Sequence, residues 1–402
     1  MMTEMKGKKL RASTSVLALA LTAGLVQPSF GQEADQNAAT MLEPIVIYGT
    51  KRDDKAQDVP LPVTVLGAEK LQLMPKTGSN ADIARSTPNF SYVDYSAQYS
   101  NVGIIRGVGS FSPLSAEDTS VVYNVDEIPR SAYSMPVTML DMQQIEVLRG
   151  PQGTLFGRNA QGGAVNFITN TPTFDREFSL RGEVGTNGHR LGEFIANGAL
   201  IDDVLAGRLA VQYTGRDGDV RNIVTGGKEG GFDVGAVRGS LLFTPDADTR
   251  AQLTFHYNKS EDNSSRFLLR DYPDFPISAT NPENKFEREN YGINLRFEHN
   301  FESFKFTSVS SIQQDTLDQR MDLTDGLIFS KVAPLSFDYF NTPGVDLMTY
   351  NMRDRTYFQE FRLSSLDDSP ISWVAGLNYF RSEFSGKQNG DTFSIPRHCG
   401  RI

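Results

Sequence analysis

The chain has 402 residues, of which 39 are lysine or arginine and 49 are aspartate or glutamate, so its formal net charge at pH 7 is −10. An acidic surface argues against a nucleic-acid partner, because phosphates are bound through clustered lysine and arginine side chains. Cys399 is the only cysteine and the four histidines (His189, His256, His299, His398) are scattered, which excludes an intrachain disulfide and predicts no metal site. No sequence pattern places a nucleophile beside a base, so we expect neither an enzyme nor a covalently bound cofactor.

The N-terminus has the parts of an export signal. A basic region holds three lysines and Arg11, residues 16–26 form an uncharged apolar run, and small residues flank Phe30. The run is shorter than the roughly 20 residues that a transmembrane helix needs. We expect residues 1–31 to be a signal peptide, cleaved after Gly31 during export through the Sec pathway, which leaves a mature chain with a net charge of about −13. No later segment has about 18 consecutive apolar residues, which excludes a helical membrane protein.

The residues after the signal are a polar tail and a short β-prone segment. Residues 32–42 are polar and alanine-rich, as disordered tails are. Glu43–Thr50 then joins an acid and a proline to an apolar run, as in an edge strand. The unpaired N–H and C=O groups of such a strand are able to join the sheet of another protein. An ordinary first strand of the following domain is the alternative.

Residues 58–172 have the pattern of a mixed α/β domain. Short strands are predicted at 62–66, 102–106, 121–125 and 144–148, and short helices at 68–74 and 80–86. Ser79 is a candidate N-cap for the second helix.

A glycine-rich loop joins two β-prone runs between Ile145 and Thr169. Its glycines imply a backbone that bends repeatedly, takes positive φ or lies against another backbone: Gly150, Gly153, Gly157, Gly162 and Gly163. A phosphate-binding loop is a weak alternative, because no Gly-Lys-Ser/Thr follows and no G-x-G-x-x-G opens a helix.

This loop resembles the end of the plug domain of TonB-dependent outer-membrane receptors. The step Arg149-Gly150-Pro151 and the exit Gly162-Gly163-Ala164-Val165-Asn166 carry the resemblance, and the phrases at 105–109 and 125–129 resemble landmarks of the same domain. The resemblance implies a plug over residues 56–172, with a motif formed by Gly150, Pro151, Gly153, Gly157, Gly162, Gly163 and Asn166. It also implies that the periplasmic tail, residues 32–55, holds the TonB box at about 43–50, formed by Glu43, Pro44, Ile45, Val46, Ile47, Tyr48 and Gly49.

After Pro172 the apolar residues recur at every second position. In residues 250–258, for example, Leu253, Phe255 and Tyr257 alternate with polar residues. Alternation over about ten residues is typical of outer-membrane barrel strands, whose apolar face meets lipid and whose polar face lines a wet lumen. Nine strands are predicted, near 177–187, 189–201, 205–217, 233–244, 249–260, 288–299, 303–316, 355–366 and 370–382. Tight turns alternate with long connections, as in bacterial barrels with short periplasmic turns and long outer loops.

Nine strands do not close a barrel around a plug. Bacterial barrels have even strand numbers, and eight strands enclose only their own side chains. Unpaired strand edges could not lie in lipid. The resemblance implies 22 strands. The predicted fold is therefore an α+β plug followed by an antiparallel transmembrane β-barrel that is incomplete, with residues 173–402 as its N-terminal part and the chain as a fragment or a frameshifted product.

By this resemblance the chain is expected to take part in active import across the outer membrane of a Gram-negative bacterium. The default ligand is a ferric siderophore, with iron present only within the chelate, while cobalamin, haem, an oligosaccharide or a plant aromatic compound stay open. The expected partners are TonB with its inner-membrane energising complex, the ligand and outer-membrane lipid, for a chain that acts as a monomer. A truncated receptor without function, a passive outer-membrane channel and a secreted soluble binding domain are the alternatives.

Two groups of residues are expected to act in transport. Ligand contacts are predicted at the plug apices, which combine aromatic faces with a cation: Tyr92, Tyr95, Gly109, Ser110, Phe111, Arg130 and Tyr133. Tyrosines that pack against the barrel wall are the alternative. A plug–barrel lock is predicted between Arg106 or Arg149 and Glu360, which strand alternation turns inward. A pair between Glu360 and Arg362 is the alternative.

Overall fold

The part of the chain that the structure, a computed structural model, describes begins at Val46. It comprises residues 46–52, 54–74, 81–94, 101–109, 120–130, 138–157, 159–264, 268–281, 284–322, 325–332, 337, 347–366 and 369–390. All of these residues belong to one unit, which runs from Ile45 to Ile402. The predicted signal peptide and the tail up to Ile45 lie outside the described residues, as do residues 391–402.

Residues 46–169 form a mixed α/β domain. Its elements are β1 (Val46–Ile47), β2 (Asp54–Lys55), β3 (Val63–Gly67), α1 (Ala68–Leu73), α2 (Ala81–Arg85), β4 (Phe90–Asp94), β5 (Asn101–Ile105), β6 (Val121–Val125), β7 (Ile128–Pro129), β8 (Met142–Arg149), α3 (Gly153–Phe156) and β9 (Gly163–Thr169). The central sheet has the order β3-β8-β9-β6-β7, while β1–β2 and β4–β5 are separate pairs. The predicted helices and strands of this domain are confirmed, with bounds within two residues of the expected ones.

The domain has an apolar core between its central sheet and its first two helices. The apolar side chains of β8 and β9 that carry this core, Ile145, Val147, Val165 and Phe167, are fully buried. They belong to the same apolar cluster as Leu71 of α1 and Ile83 of α2. Burial of each side chain of this size stabilises a fold by about 1.5–3 kcal/mol, so the alternation of β8 and β9 with two short helices is enough to define the domain.

The glycine-rich loop bends as its composition predicts. Gly150 has φ +114° and Gly163 has φ +151°, backbone conformations that residues other than glycine rarely adopt. At Gly163 a Cβ would lie 2.2 Å from the carbonyl oxygen of Leu148, on the neighbouring strand. The loop also contains α3, a single turn of helix that the sequence analysis does not predict.

The rest of the described chain is dominated by one antiparallel sheet of nine strands. In chain order these are β10 (Glu177–Val184), β11 (Arg190–Ile201), β12 (Leu205–Arg216), β15 (Phe232–Phe243), β16 (Thr249–Asp262), β18 (Lys285–Asn300), β19 (Phe304–Asp322), β20 (Leu347–Ser365) and β21 (Val374–Gly390). Each strand pairs with the next one of this set. The prediction of nine strands is confirmed.

The two faces of this sheet have inverted polarity. Leu253 and Phe255 are 40% and 49% exposed, whereas Thr254 and His256 between and beside them are 5% exposed. On β20, Phe361 is likewise exposed while its neighbours on either side are buried. The polar face is buried because it lies against the α/β domain, and the apolar face points outward. This arrangement confirms the predicted apolar-out, polar-in alternation.

The outer ends of the strands differ from the prediction. The predicted connection at 317–354 is strand at both of its ends, since β19 continues to Asp322 and β20 begins at Leu347, where the two residues pair. The predicted last strand, 370–382, is wrong at both ends, because β21 spans 374–390. Beyond residue 316 the outward side chains of β19, such as Asp318 and Arg320, are polar, so this end of the strand lacks the apolar alternation that lipid imposes.

The long connections carry elements of their own. β13 (Val220–Asn222), β14 (Lys228–Glu229) and β17 (Ile277–Ser278) form a three-stranded sheet, and Gly326–Val332 is helix α4. Asp325 precedes α4 and accepts hydrogen bonds from the N–H groups of Leu327 and Ile328, as an N-cap does. None of the helices within the described residues has the length and apolar character needed to cross a membrane.

Candidate functional site

Side chains of the central sheet hold the segment that precedes this sheet in the chain. Residues Val46–Gly49, which we call the leading segment, include β1, which among the described strands pairs with β2 alone. The amides of Tyr48 and Gly49 donate to the two carboxylate oxygens of Glu146, each at 2.8 Å. The side chain of Gln144 donates to the carbonyl of Val46 at 2.8 Å. The β-prone run predicted here is therefore a strand of two residues, while Glu43, Pro44 and Ile45 lie outside the described residues.

A row of buried polar side chains continues from the leading segment across the sheet. Asn166 of β9 stands opposite Glu146 in the register and Asn124 of β6 stands opposite Asn166. The side chain of Asn124 donates to Asn166 at 2.8 Å, and Asn166 donates to Glu146 at 3.4 Å. Burial raises the pKa of Glu146, although hydrogen bonds from Tyr48, Gln144, Asn166 and Gly49 oppose this shift. Of the three side chains in this row, only Asn166 was expected from the sequence to matter.

A network of ion pairs joins this domain to the wall of the sheet. Lys51 lies just after the leading segment, and its Nζ is 3.1 Å from Glu360 on β20. Glu360 also accepts from Arg362 at 2.8 Å, and Arg362 is 3.0 Å from Glu127 in the β6–β7 turn. Glu127 pairs further with Arg296 of β18 at 2.8 Å. The charges alternate in sign along the network, as buried ions require.

This network corrects the predicted partners of Glu360. Glu360 does join the wall to the α/β domain, but through Lys51 and not through Arg106 or Arg149, and the alternative pair with Arg362 is present. Arg149 instead donates to the carbonyl of Pro88 at 3.4 Å. Arg106 points at the glycine-rich loop, with its Nη1 3.5 Å from the place of a Cβ on Gly150. The contacts of both arginines thus lie within their own domain.

Glu127 reaches the wall because of the turn that carries it. Asp126 and Glu127 both have positive φ, 50° and 68°, as the two central residues of a type I′ hairpin turn do. The turn places the carboxylate of Glu127 between two strand arginines. Burial by itself would raise the pKa of Glu127, but Arg296, Arg362 and Lys51 hold it well below its usual range.

A second clamp lies at Asp141, just before β8. Its carboxylate receives two hydrogen bonds of 2.7 Å from the Nε and Nη2 of Arg208 on β12. Arg208 also pairs with Glu177 at 2.7 Å, and Arg238 of β15 donates to the carbonyl of Leu140 at 2.7 Å. This clamp was not predicted, although strand alternation turns both arginines inward and was a usable signal.

The predicted ligand contacts are only partly described. Tyr95, Ser110, Phe111 and Tyr133 lie outside the described residues, so those predictions stay open. Tyr92 packs against the apolar core of the α/β domain, and Gly109 is half-buried.

Arg130, the cation among the predicted ligand contacts, lies against the wall. It donates to Gln313 and lies 3.5 Å from the ring of His256. Burial lowers the pKa of Arg130 to about 10 against the opposing fields of Asp315 and Asp126. Arg130 thus contacts His256 and Gln313 of the wall, and its predicted contact with the ligand stays a prediction.

The space between the α/β domain and the wall is narrow near Arg130. A cavity there has a volume of about 40 Å³ and is lined by Asp126, Arg130, Arg238, His256 and Arg288, among others. A drug-sized ligand needs roughly 300–1,000 Å³. This cavity therefore holds no chelate unless the α/β domain moves. Among the described residues, no group of three or more His, Cys, Asp or Glu side chains is arranged to hold a metal ion.

Comparison with known proteins assigns the α/β domain. Residues 55–164 match the family model described as TonB-dependent Receptor Plug Domain. These residues are a TonB-dependent receptor plug. The plug and the sheet together resemble the ferric yersiniabactin uptake receptor from Yersinia pestis, with a TM-score of 0.68 and 21% identity, over 82% of this chain and 50% of that one. They also resemble a pyoverdine-bound FpvA of P. aeruginosa, with a TM-score of 0.69 and 16% identity, over 87% of this chain and 46% of that one. The sheet around the plug thus has the fold of part of a receptor barrel.

Curated relatives agree with this assignment. The Pesticin receptor of Yersinia pestis is 28% identical over 231 residues, which are 57% of this chain and 32% of the relative. The Rhizobactin receptor of Rhizobium meliloti is 27% identical over 207 residues, 51% of this chain and 26% of the relative. The chain therefore spans about a third or less of the length of these relatives, with the plug and the first strands of the barrel wall.

Proposed function

We propose that this chain is the plug and first barrel segment of a receptor that imports a ferric siderophore across the outer membrane with energy from TonB. Relatives named for rhizobactin and ferrioxamine B, and a structural neighbour named for ferric yersiniabactin, support this ligand class. The inverted polarity of the sheet supports an outer-membrane location, because an apolar face that points outward is stable in lipid and not in water. The proposed role is binding and gating, without chemistry on the ligand.

One observation carries the mechanism. The leading segment is attached to the plug sheet through Glu146 and, two residues later, to the barrel wall through Lys51 and Glu360. Its strand pairing within the described residues is limited to two residues, so few strand contacts would have to break before a strand of TonB paired with it. A pull on this segment would load the Lys51–Glu360 pair and the Glu146 hydrogen bonds before it reached the core of the plug.

The plug–wall boundary is suited to such movement. It consists of ion pairs and polar contacts, from Glu127 and Asp141 on the plug to Arg362 and Arg208 on the wall. Water that enters behind a moving plug would solvate these groups as soon as they separate, whereas an apolar boundary would resist wetting. The chelate would pass through the space that the plug leaves, since the present cavity is too small.

Uptake in the host organism tests this proposal. The coding region for this chain is deleted, and cells starved of iron are given radioactive iron as ferric siderophores, with haem, cobalamin, oligosaccharides and plant aromatics tested in parallel. We expect the deletion to abolish uptake of one ferric siderophore, and deletion of TonB to do the same. Loss of a non-siderophore nutrient would replace the ligand class, and uptake that survives deletion of TonB would indicate a passive channel.

The position of the TonB contact is tested by Val46→Pro, with Val46→Ala as the matched control. Proline removes the N–H of residue 46 and restricts φ, so a strand of TonB can no longer pair there. We expect iron uptake to fall while binding of the ferric siderophore to whole cells is retained. Equal uptake by both variants would place the contact elsewhere, such as in residues 43–45.

A further inference from the structure

The buried polar row of the plug ends on the leading segment. We use "polar row" for Asn124, Asn166, Glu146 and Gln144, which lie on three neighbouring strands of the central sheet. Asn124 and Glu146 are fully buried, and Asn166 is 2% exposed. Buried polar groups of this kind persist only where each has hydrogen-bond partners. The leading segment supplies part of that requirement from outside the sheet.

Glu146 depends on the leading segment for half of its donors. Its carboxylate accepts from the amides of Tyr48 and Gly49, and from the side chains of Gln144 and Asn166. The two amide bonds are short, at 2.8 Å, whereas the Asn166 contact is 3.4 Å. When the leading segment departs, the carboxylate keeps one short hydrogen bond, from Gln144, until water or a proton replaces the two amide donors. An ion left in this condition is strongly destabilising.

We propose that Glu146 is a latch, which couples departure of the leading segment to loosening of strands β8 and β9 at the centre of the plug. The proposal rests on the proposed function, in which TonB takes hold of that segment. Once its two amide donors are gone, Glu146 gains new partners only if water enters between β8 and β9 or if it takes up a proton. Capture of the segment would therefore open the plug from within its own sheet and not only at the barrel wall.

Two substitutions test the two parts of this coupling separately, namely departure of the leading segment and the buried charge of Glu146. A Cβ on Gly49 would lie 2.7 Å from Asn166, 2.8 Å from Leu148 and 2.9 Å from Glu146, so Gly49→Ala displaces the leading segment while Glu146 keeps its charge. Glu146→Gln keeps the shape of the side chain but removes the charge, so departure of the segment no longer leaves a buried ion without its donors. Gly67→Ala is the matched control, because Gly67 pairs with Gln144 in the same sheet and a Cβ there meets nothing within 4 Å.

Amide hydrogen exchange on the whole chain in detergent micelles measures the coupling. We expect Gly49→Ala to speed exchange at Tyr48, and also at Val147 and Val165 in β8 and β9, by about tenfold or more. Glu146→Gln should speed exchange in the leading segment alone. The double variant should return Val147 and Val165 to the rates of the Gly67→Ala control, because no buried charge is then left without donors.

Two results would overturn the latch. One is that Gly49→Ala speeds exchange in the leading segment but leaves exchange at Val147 and Val165 unchanged. The other is a double variant whose β8 and β9 exchange as fast as in Gly49→Ala alone, since the loosening would then come from steric damage and not from Glu146. The measurement needs neither TonB nor a siderophore. If the exchange results contradict the latch, the proposed import is therefore unaffected. If the uptake results contradict the proposed import, the latch is still tested by exchange alone.

Discussion

Replacement of Glu127 by glutamine should loosen the plug within the barrel wall. Glu127 is 8% exposed and pairs with Arg362 at 3.0 Å and Arg296 at 2.8 Å. Removal of one partner from a buried ion pair costs about 3–5 kcal/mol when the other ion is left alone. Here Arg362 keeps Glu360 and Arg296 keeps Glu298, so we expect a smaller loss, of about 2 kcal/mol, close to that of a hydrogen bond to a charged group.

Urea unfolding of the plug measures this loss. A fluorophore is placed on the exposed position 69 of α1 as Glu69→Cys, after the single native cysteine has been replaced by Cys399→Ser. With a urea dependence of about 2 kcal/mol per molar, a loss of about 2 kcal/mol lowers the midpoint by about 1 M.

The control for this measurement is Glu383→Gln, because Glu383 pairs with Arg381 on the exposed strand β21 and such a surface pair contributes little. We expect no measurable shift of the plug midpoint in this variant. A midpoint shift for Glu127→Gln no larger than that of the control would refute the role of the buried network.

Three further predictions concern the same boundary. Because the pKa of Glu127 is held below its ordinary 4.5, its stabilising effect is present above that value and is lost as pH falls. The urea midpoint should therefore drop between about pH 6 and about pH 3 in the native chain, and drop less in Glu127→Gln. An equal drop of the midpoint in the two proteins would contradict this prediction. Asp141→Asn should lower the stability of the plug by about 2 kcal/mol, and so the urea midpoint by about 1 M, since Arg208 keeps only the half-exposed Glu177; a midpoint shift equal to that of the surface control would show that this clamp does not stabilise the plug. Joint replacement of Arg130 and Tyr133 by alanine should weaken siderophore binding to whole cells by about tenfold, or about 1.4 kcal/mol; unchanged affinity would assign Arg130 to packing against the wall.

The pattern of the sequence was sufficient for the architecture of this chain. Period-two alternation identifies the nine wall strands, since lipid on one side and the plug on the other act on every residue in turn. The glycine-rich loop was equally informative, because Gly163 has no room for a Cβ beside Leu148. Alternation also placed Glu360 and Arg362 on the inner face, where the structure has them.

The partners of those inward side chains were decided by the tertiary structure alone. Glu360 pairs with Lys51, more than 300 positions away, because a turn after the leading segment brings that lysine to the wall. Glu127 and Asp141 reach their arginines through turn residues with positive φ, which no local pattern marks in an aspartate or a glutamate. In the sequence Glu146 is one of several polar residues of its strand, and only the folded sheet shows that it holds the leading segment. A sequence determines which face a side chain occupies, because that depends on its neighbours along the strand. Which charge it meets depends on how two separately folded elements dock, and that is a property of the assembled structure.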